Sequence, residues 1–203
     1  KEFSADEPID IIVSIDNNNG QQLDGFETTE QRLQHYGLVD ERIKVKHFPS
    51  REDYITYLKS GHVFVSCARS EGWNLPLIEA MACGTPSIYS ACSGQMEFAE
   101  GKGLPVKIIG EKSTQGNNYS NFAINLEDGF VPGNYYEPDY EDLAKVMRDA
   151  FKNYADHKLR AVEEAKIIHN DFNWERVAEI GKETLQNFMD NYIEPAKKSN
   201  TIK

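Results

Sequence analysis

Two carboxylates eight positions apart, Glu71 and Glu79, bracket a stretch whose spacing suits anion and diol chemistry. Between them run Gly72-Trp73-Asn74-Leu75-Pro76-Leu77-Ile78. Gly72 permits a tight turn and close approach of the backbone to a ligand. Asn74 is a strong helix N-cap, and Pro76 fits the first turn, where no intrahelical donor is lost. The unpaired amides around Asn74 and Leu75, with the helix dipole behind them, form a cradle for a diphosphate. Glu79 lies one turn further in, on the face of Leu75, and side chains lean toward the helix N-terminus. Its carboxylate can accept both hydroxyls of a ribose. Glu71, on the turn, can accept hydroxyls of a sugar beyond the phosphates, in charge-assisted bonds stronger than neutral ones. An isolated pair of glutamates is more often a solvated loop residue and a helix-surface carboxylate. The form of the surrounding segment is what argues otherwise.

Strand and helix signals alternate around that segment. Ile9 to Ile15 is a β-branched run ending in the turn cluster Asn17-Asn18-Asn19-Gly20. Thr28 with Gln31 forms a capping box, and Gly37 closes the short helix behind it. Ile43 to Phe48 reads as a strand stopped by Pro49, and Ser50 with Asp53 caps a helix ending at Gly61. Val63-Phe64-Val65 is the continuous apolar run of a parallel strand covered on both faces. A helix over Leu75 to Cys83, with Gly84 at its left-handed C-cap, leads to strands at Ser87–Tyr89 and Leu104–Val106. Short strands joined by helices predict an α/β fold, a doubly wound parallel sheet that binds ligands past the C-terminal strand ends.

Residues 110–137 break the rhythm, polar and rich in Gly and Asn around an alternating Phe122–Leu126, and read as an inserted loop or hairpin. Three helices follow. Asp139 caps the first, which carries the stripe Leu143, Val146, Met147, Ala150 and Phe151. The second spans about Asp156 to His169. The third runs from Asn173-Trp174 to near Ile193, its Val177, Ile180, Leu185 and Phe188 reading as ordinary helix packing. This gives an α/β domain over 1–172, a closing helix over 173–194 and a disordered tail over 195–203.

With 22 Lys and Arg against 33 Asp and Glu, the net charge of −11 argues against nucleic-acid or anionic-lipid partners. The three cysteines, Cys67, Cys83 and Cys92, lack CxxC spacing, which suggests reduced, packed thiols in a cytoplasmic protein, with a peripheral position at the inner membrane face also open. No run is long enough to span a bilayer. The chain opens on Lys1-Glu2-Phe3 without Met, which suggests a piece of something longer. Asp16 to Glu27 imitates a calcium loop, but its Gly falls one place early. The five histidines show no metal spacing. Arg69, just before the turn, is as a lone arginine more often a surface residue than a phosphate ligand.

The segment from Glu71 to Pro86 resembles the signature of glycosyltransferase family 4, the group 1 retaining enzymes of the GT-B fold. That pattern is a Glu-Gly-aromatic-Gly-Leu-Pro turn, a second Glu eight residues on, then Ala-Met-Ala and Gly-x-Pro. The match falls at Glu71, Gly72, Leu75, Pro76, Glu79, Ala80, Met81, Ala82, Gly84 and Pro86. Asn74 stands where the family usually has Gly, and Trp73 where Phe is commoner. Phe48-Pro49 resembles the loop flanking the base, and Phe172-Asn173-Trp174-Glu175 the start of the closing helix.

The resemblance implies the C-terminal, Rossmann-like half of such an enzyme, lacking its first strand and helix and the phosphate-binding Arg and Lys they carry. It implies a nucleotide-diphosphate sugar as donor, no cofactor and no metal, and a glycan or lipid-linked acceptor held by a missing N-terminal domain. Glu71 becomes the candidate catalytic residue at the donor sugar. Gly72, Trp73, Asn74, Leu75 and Glu79 become the donor-binding residues. The isolated chain is expected to be inactive. Two alternatives stand beside transfer: an epimerase or phosphorylase on the same frame, and a non-catalytic nucleotide-sugar-binding or scaffold module.

Overall fold

The computed structural model describes residues 2–14, 28–35, 37–113 and 133–195. They fall into two units, Lys1–Gly61 and His62–Lys203. In the first, strand β1 (Ile11–Ser14) pairs in parallel with β2 (Ile43–Lys46), setting Ile11 opposite Ile43 and Val13 opposite Val45. Helix α1 (Thr29–His35) opens with a reciprocal capping box. Gln31 N donates to Thr28 Oγ1 at 3.2 Å, and Thr28 N donates to Gln31 Oε1 at 3.3 Å. Ser50 Oγ accepts from Asp53 N at 3.1 Å to start α2 (Arg51–Ser60). The strand before it ends at Lys46, shorter than the sequence suggests. Phe48 turns out of the ladder and stacks on Tyr57 with ring centroids 4.3 Å apart.

The second unit is built on three parallel strands in the order β3 (Phe64–Ser66), β4 (Ser87–Ser90), β5 (Leu104–Val106). All four residues of β4 are buried, because helices cover both faces. Tyr89 points into a cluster with Leu77, Met81, Phe98 and Ile168, while its neighbour Ile88 points the other way, to Val106 and Ala150. Alternation along one strand thus feeds two cores. The first core joins α3 (Leu75–Ala82), α4 (Met96–Ala99) and α6 (Tyr154–Asp171), and the second is closed by α5 (Tyr140–Lys152). Each fully buried Leu, Ile or Phe contributes about 1.5–3 kcal/mol. Tyr89 carries its hydroxyl inside by donating to Ala99 O at 2.7 Å, and burial raises its pKa to about 12. The second helix of the closing set begins directly after Asn153, earlier than the periodicity indicates. The four-residue α4 carries no sequence signal at all.

Within the 110–137 stretch, β6 (Ile108–Ser113) pairs antiparallel with β7 (Asn134–Pro138), Lys112 opposite Tyr135 and Gly110 opposite Glu137. The alternating Phe122–Leu126 stretch, the Asp16–Glu27 loop and residues 196–203 lie outside the described residues. The described strands therefore form three sheets in place of one doubly wound sheet; among these residues β1 pairs only with β2, and β3 only with β4. The architecture is mixed α/β, parallel strands alternating with helices.

Helix α7 (Trp174–Phe188) departs from the ordinary packing expected of it. Asn173 caps it, Oδ1 accepting from Arg176 N at 2.8 Å, but none of its residues is buried. Val177 is 53% exposed and Leu185 67%. The stripe is periodic, yet no described element covers it. A π-helical turn, Met189–Ile193, ends the helix where regular α geometry was expected.

Candidate functional site

Strand β3 delivers the chain at Ser66 to the turn that holds the two glutamates, and α3 begins at Leu75. Asn74 makes this joint. Its backbone is left-handed, φ 64° and ψ 64°, a conformation that Asn tolerates better than other non-glycine residues. Its Oδ1 accepts from Leu77 N at 3.3 Å, as an N-cap should. Its Nδ2 donates inward, to Ser66 Oγ at 3.0 Å and to Gln95 Oε1 at 2.6 Å. Gln95 has no exposed surface and donates in turn to Ser90 O. The Asn74 side chain therefore ties the helix start to the ends of β3 and β4 and does not reach outward to a ligand.

The other end of α3 closes as a Schellman motif, with Gly84 N donating to Met81 O at 2.9 Å and Thr85 N to Ala80 O at 3.1 Å. Gly84 takes φ 66°, where a side chain would be strained. Lys158 Nζ of α6 donates to Gly84 O at 2.6 Å, and His169 Nε2 lies 2.9 Å from Ala82 O, so the C-terminal carbonyls meet basic groups. His62 rests edge-on against Tyr154, and His157 Nε2 lies 2.7 Å from Asp149 Oδ2. These three histidines have structural partners.

At the open end, neither Asn74 N nor Leu75 N donates to an acceptor among the described residues, and Pro76 has no N–H. Two amides at the dipole's positive end thus have no acceptor among the described residues. Leu75 is exposed, Glu79 half-buried on the inner turn of α3, and Glu71 half-buried on the loop. Trp73 covers an aromatic group, its ring centroid 5.5 Å from that of Phe98 and 6.2 Å from that of Phe172. Its indole packs on the core while one side stays exposed, so it is as much a lid on hydrophobic residues as a ligand surface.

Two further segments hold the turn, and neither was legible as part of it. The loop between β4 and α4 reaches Glu71 from one side, Gly94 N donating to Glu71 O at 3.2 Å. Gly94 is there for space, since a Cβ on it would stand 1.9 Å from Gly72 O. The Ser93-Gly94 pair is a turn signal in the sequence, but nothing in it names Gly72 as neighbour. From the other side comes β7. Tyr136 N donates to Arg69 O at 2.9 Å, and Arg69 Nη2 pairs with Glu137 Oε1 at 2.7 Å. The Arg69 guanidinium also lies over the Tyr135 ring, 5.1 Å from its centroid. Lys112 Nζ sits 2.8 Å from Glu137 Oε2, and it more than Arg69 holds that carboxyl below its ordinary range. Arg69 is thus committed to the hairpin.

In the first unit, the Phe48-Pro49 loop lines an open depression of about 380 Å³ together with Lys46, Asp53, Thr56 and Tyr57. Beneath the turn in the second unit, burial pushes the Cys67 thiol up to about 11, with Cys92 nearby adding to the shift, so it is a packed thiol and not a nucleophile.

The segment just described lies inside a recognised pattern: residues 20–107 match the family described as glycosyl transferases group 1. Over those residues, a little under half of the chain, it is similar to a group 1 glycosyltransferase domain. It is 24% identical over 136 residues to "Putative glycosyltransferase ORF330" of Acidianus filamentous virus 2, which covers 64% of this chain and 35% of the relative. To "Putative glycosyltransferase 48" of Sulfolobus islandicus filamentous virus it is 34% identical over 79 residues, 38% of this chain and 25% of the relative. The chain therefore spans about a third or less of the curated relatives it matches. Among solved structures it is similar to sucrose-phosphate synthase of Thermosynechococcus elongatus, with TM-score 0.57 and 23% identity over 89% of this chain and 38% of the other. Anabaena HepE in complex with UDP-glucose matches with TM-score 0.53 and 18% identity over 78% of this chain and 35% of that one. At these identities the likeness is one of fold, and it covers part of each of those proteins. No helix among the described residues is long and apolar enough to cross a membrane.

Proposed function

We propose that this chain supplies the donor site of a retaining glycosyltransferase, one that moves a sugar from a nucleotide-diphosphate donor to a saccharide or other alcohol. The observation that carries the reading is the pair of amides at Asn74 and Leu75 without a described acceptor, on a turn and helix that also carry Glu71 and Glu79. The diphosphate sits on the two amides at the positive end of α3, where leaving-group charge is stabilised without a metal. Glu79, one turn in, takes the ribose hydroxyls. Glu71 takes hydroxyls of the donor sugar, and Gly72 lets the sugar approach the backbone. Trp73 walls the sugar's side of the turn. No residue here is needed as a covalent nucleophile: the work is positioning and electrostatic stabilisation. The frame is that of a Rossmann-like donor domain, with the acceptor bound by the remainder of a longer enzyme.

UDP-glucose, bound by HepE, is the first donor to test. In the full-length enzyme, Glu79→Gln should weaken nucleoside-diphosphate binding by about 1.5–3 kcal/mol, the range for hydrogen bonds to a charged group. Glu71→Ala should leave that binding nearly intact and lower transfer from the sugar-bearing donor. Calorimetry with UDP, GDP and ADP, together with transfer rates, separates the two roles. Equal diphosphate affinity in wild type and Glu79→Gln would remove the ribose role. Equal loss of diphosphate affinity in Glu71→Ala would move Glu71 to the nucleotide side.

A further inference from the structure

The β6–β7 hairpin holds the sugar-facing turn by three different kinds of bond, all converging on Arg69, two residues before Glu71. One is a backbone bond (Tyr136 N to Arg69 O, 2.9 Å), one an ion pair (Arg69 Nη2 to Glu137 Oε1, 2.7 Å), and one a cation–π contact with Tyr135 at 5.1 Å. The Glu137 side chain is only 12% exposed, and its second oxygen is taken by Lys112 at 2.8 Å. A carboxylate so shielded and doubly paired is a rigid anchor, unlike an exposed surface pair. On the far side of Glu71 the Gly94 amide fixes its carbonyl at 3.2 Å. Glu71 is therefore held between two clamps, and only the hairpin clamp is ionic.

We propose that Glu137 is a positioning residue for donor-sugar recognition: by fixing Arg69 it sets where the Glu71 carboxylate stands. It touches no substrate itself. The inference rests on Glu71 being the group that meets the donor sugar. The hairpin then selects for the sugar and not for the nucleotide, because the diphosphate amides at Asn74 and Leu75 hang on the Asn74–Gln95 bonds, in which neither Arg69 nor Glu137 takes part. Loss of the anchor should blur the placement of one hydroxyl acceptor and leave α3 and its amides where they are.

The test uses the full-length enzyme with UDP-glucose and UDP as probes. Glu137→Gln keeps the shape and removes the charge. Its kcat/KM for the sugar donor should fall roughly tenfold, as for residues sharing one ion-pair network, while UDP affinity stays within about twofold. In a Glu71→Ala background the same substitution should cost almost nothing more, since what it positions has gone. Glu137→Asp should recover part of the loss, because it restores the charge that pairs with Arg69 and Lys112. A merely structural role would lower UDP affinity and donor turnover together, and that result overturns the proposal, as does full additivity with Glu71→Ala. If Glu71→Ala reduces transfer and Glu137→Gln does not, only the positioning role fails. If Glu71→Ala itself leaves transfer unchanged, the sugar role of Glu71 fails and this inference falls with it.

Discussion

Replacing Asn74 by Gly, the residue the family pattern usually has there, sets two effects of opposite sign against each other. Glycine enters the left-handed region freely, and relief of that strain favours the variant by at most about 1–2 kcal/mol for an ordinary residue and less for Asn. Part of the relief is lost again, because Gly gives the unfolded chain more freedom, about 0.5–1 kcal/mol. Against it stands the inward network. Gly makes a tolerable N-cap, so loss of the bond to Leu77 N costs only a few tenths of a kcal/mol. The larger loss is at Gln95, whose Oε1 is fully buried and accepts from Asn74 Nδ2 at 2.6 Å. An acceptor left unpaired there costs about 1–3 kcal/mol. The network wins, and Asn74→Gly should destabilise the second unit by roughly 1–2 kcal/mol. Urea unfolding, with hydrogen exchange at the α3 amides as the local readout, measures it. Gln95→Met in the Asn74→Gly background should recover part of the loss, since the unpaired Gln95 Oε1 is then gone and Ser90 O still accepts from Cys92 N at 2.8 Å. A variant Asn74→Gly as stable as wild type, or more so, would refute the reasoning: left-handed strain would then outweigh the buried bonds.

Two further outcomes follow from the same contacts. Gly94→Ala places a Cβ 1.9 Å from Gly72 O and 2.8 Å from Gly72 C, both backbone atoms, so the loop must shift. Overpacking of this kind costs about 1–3 kcal/mol, and both melting temperature and sugar-donor transfer should fall; unchanged values would place the two loops apart. In the first unit, the Arg42 side chain holds Asp40 down from its ordinary 3.8 to about 2. A depressed carboxyl stabilises the fold above its unfolded pKa, and the contribution is lost as pH falls from about 4 through about 2. An NMR titration of Asp40 should show a midpoint near 2 that returns toward 3.8 in Arg42→Ala; a wild-type midpoint at 3.8 would mean the pair is not formed in solution.

Much of the site could be read from the sequence because its determinants are local. Asn74 and Pro76 announce the start of α3, and Gly84 with Pro86 its end; the structure has the N-cap bond and the Schellman closure at those places. Thr28 with Gln31, Ser50 with Asp53, Asp139 and Asn173 each cap the helix they precede. Strand β5 falls on Leu104–Val106 as the apolar run indicates. Where the reading strayed, the information was not local. Helix α4 is four residues long, too short to show a period. The stripe on α7 is a property of the helix alone, and periodicity cannot say whether anything lies against it.

The direction of the Asn74 side chain illustrates the same limit inside the site. Its position in the pattern invites a role at the donor, because it replaces a residue without a side chain. The structure turns it inward to Gln95, a partner 21 positions on, and Arg69 meets Glu137 across 68 positions. An inserted stretch and a departure from the family pattern thus serve the same turn. The Asn side chain fixes the start of α3, and the hairpin fixes Arg69, two residues before Glu71. Because Asn74 and Glu137 act through different bonds, the proposed donor roles predict that nucleotide affinity and sugar selectivity change independently. A substitution that altered both in proportion, at either Asn74 or Glu137, would show the turn to be one rigid piece.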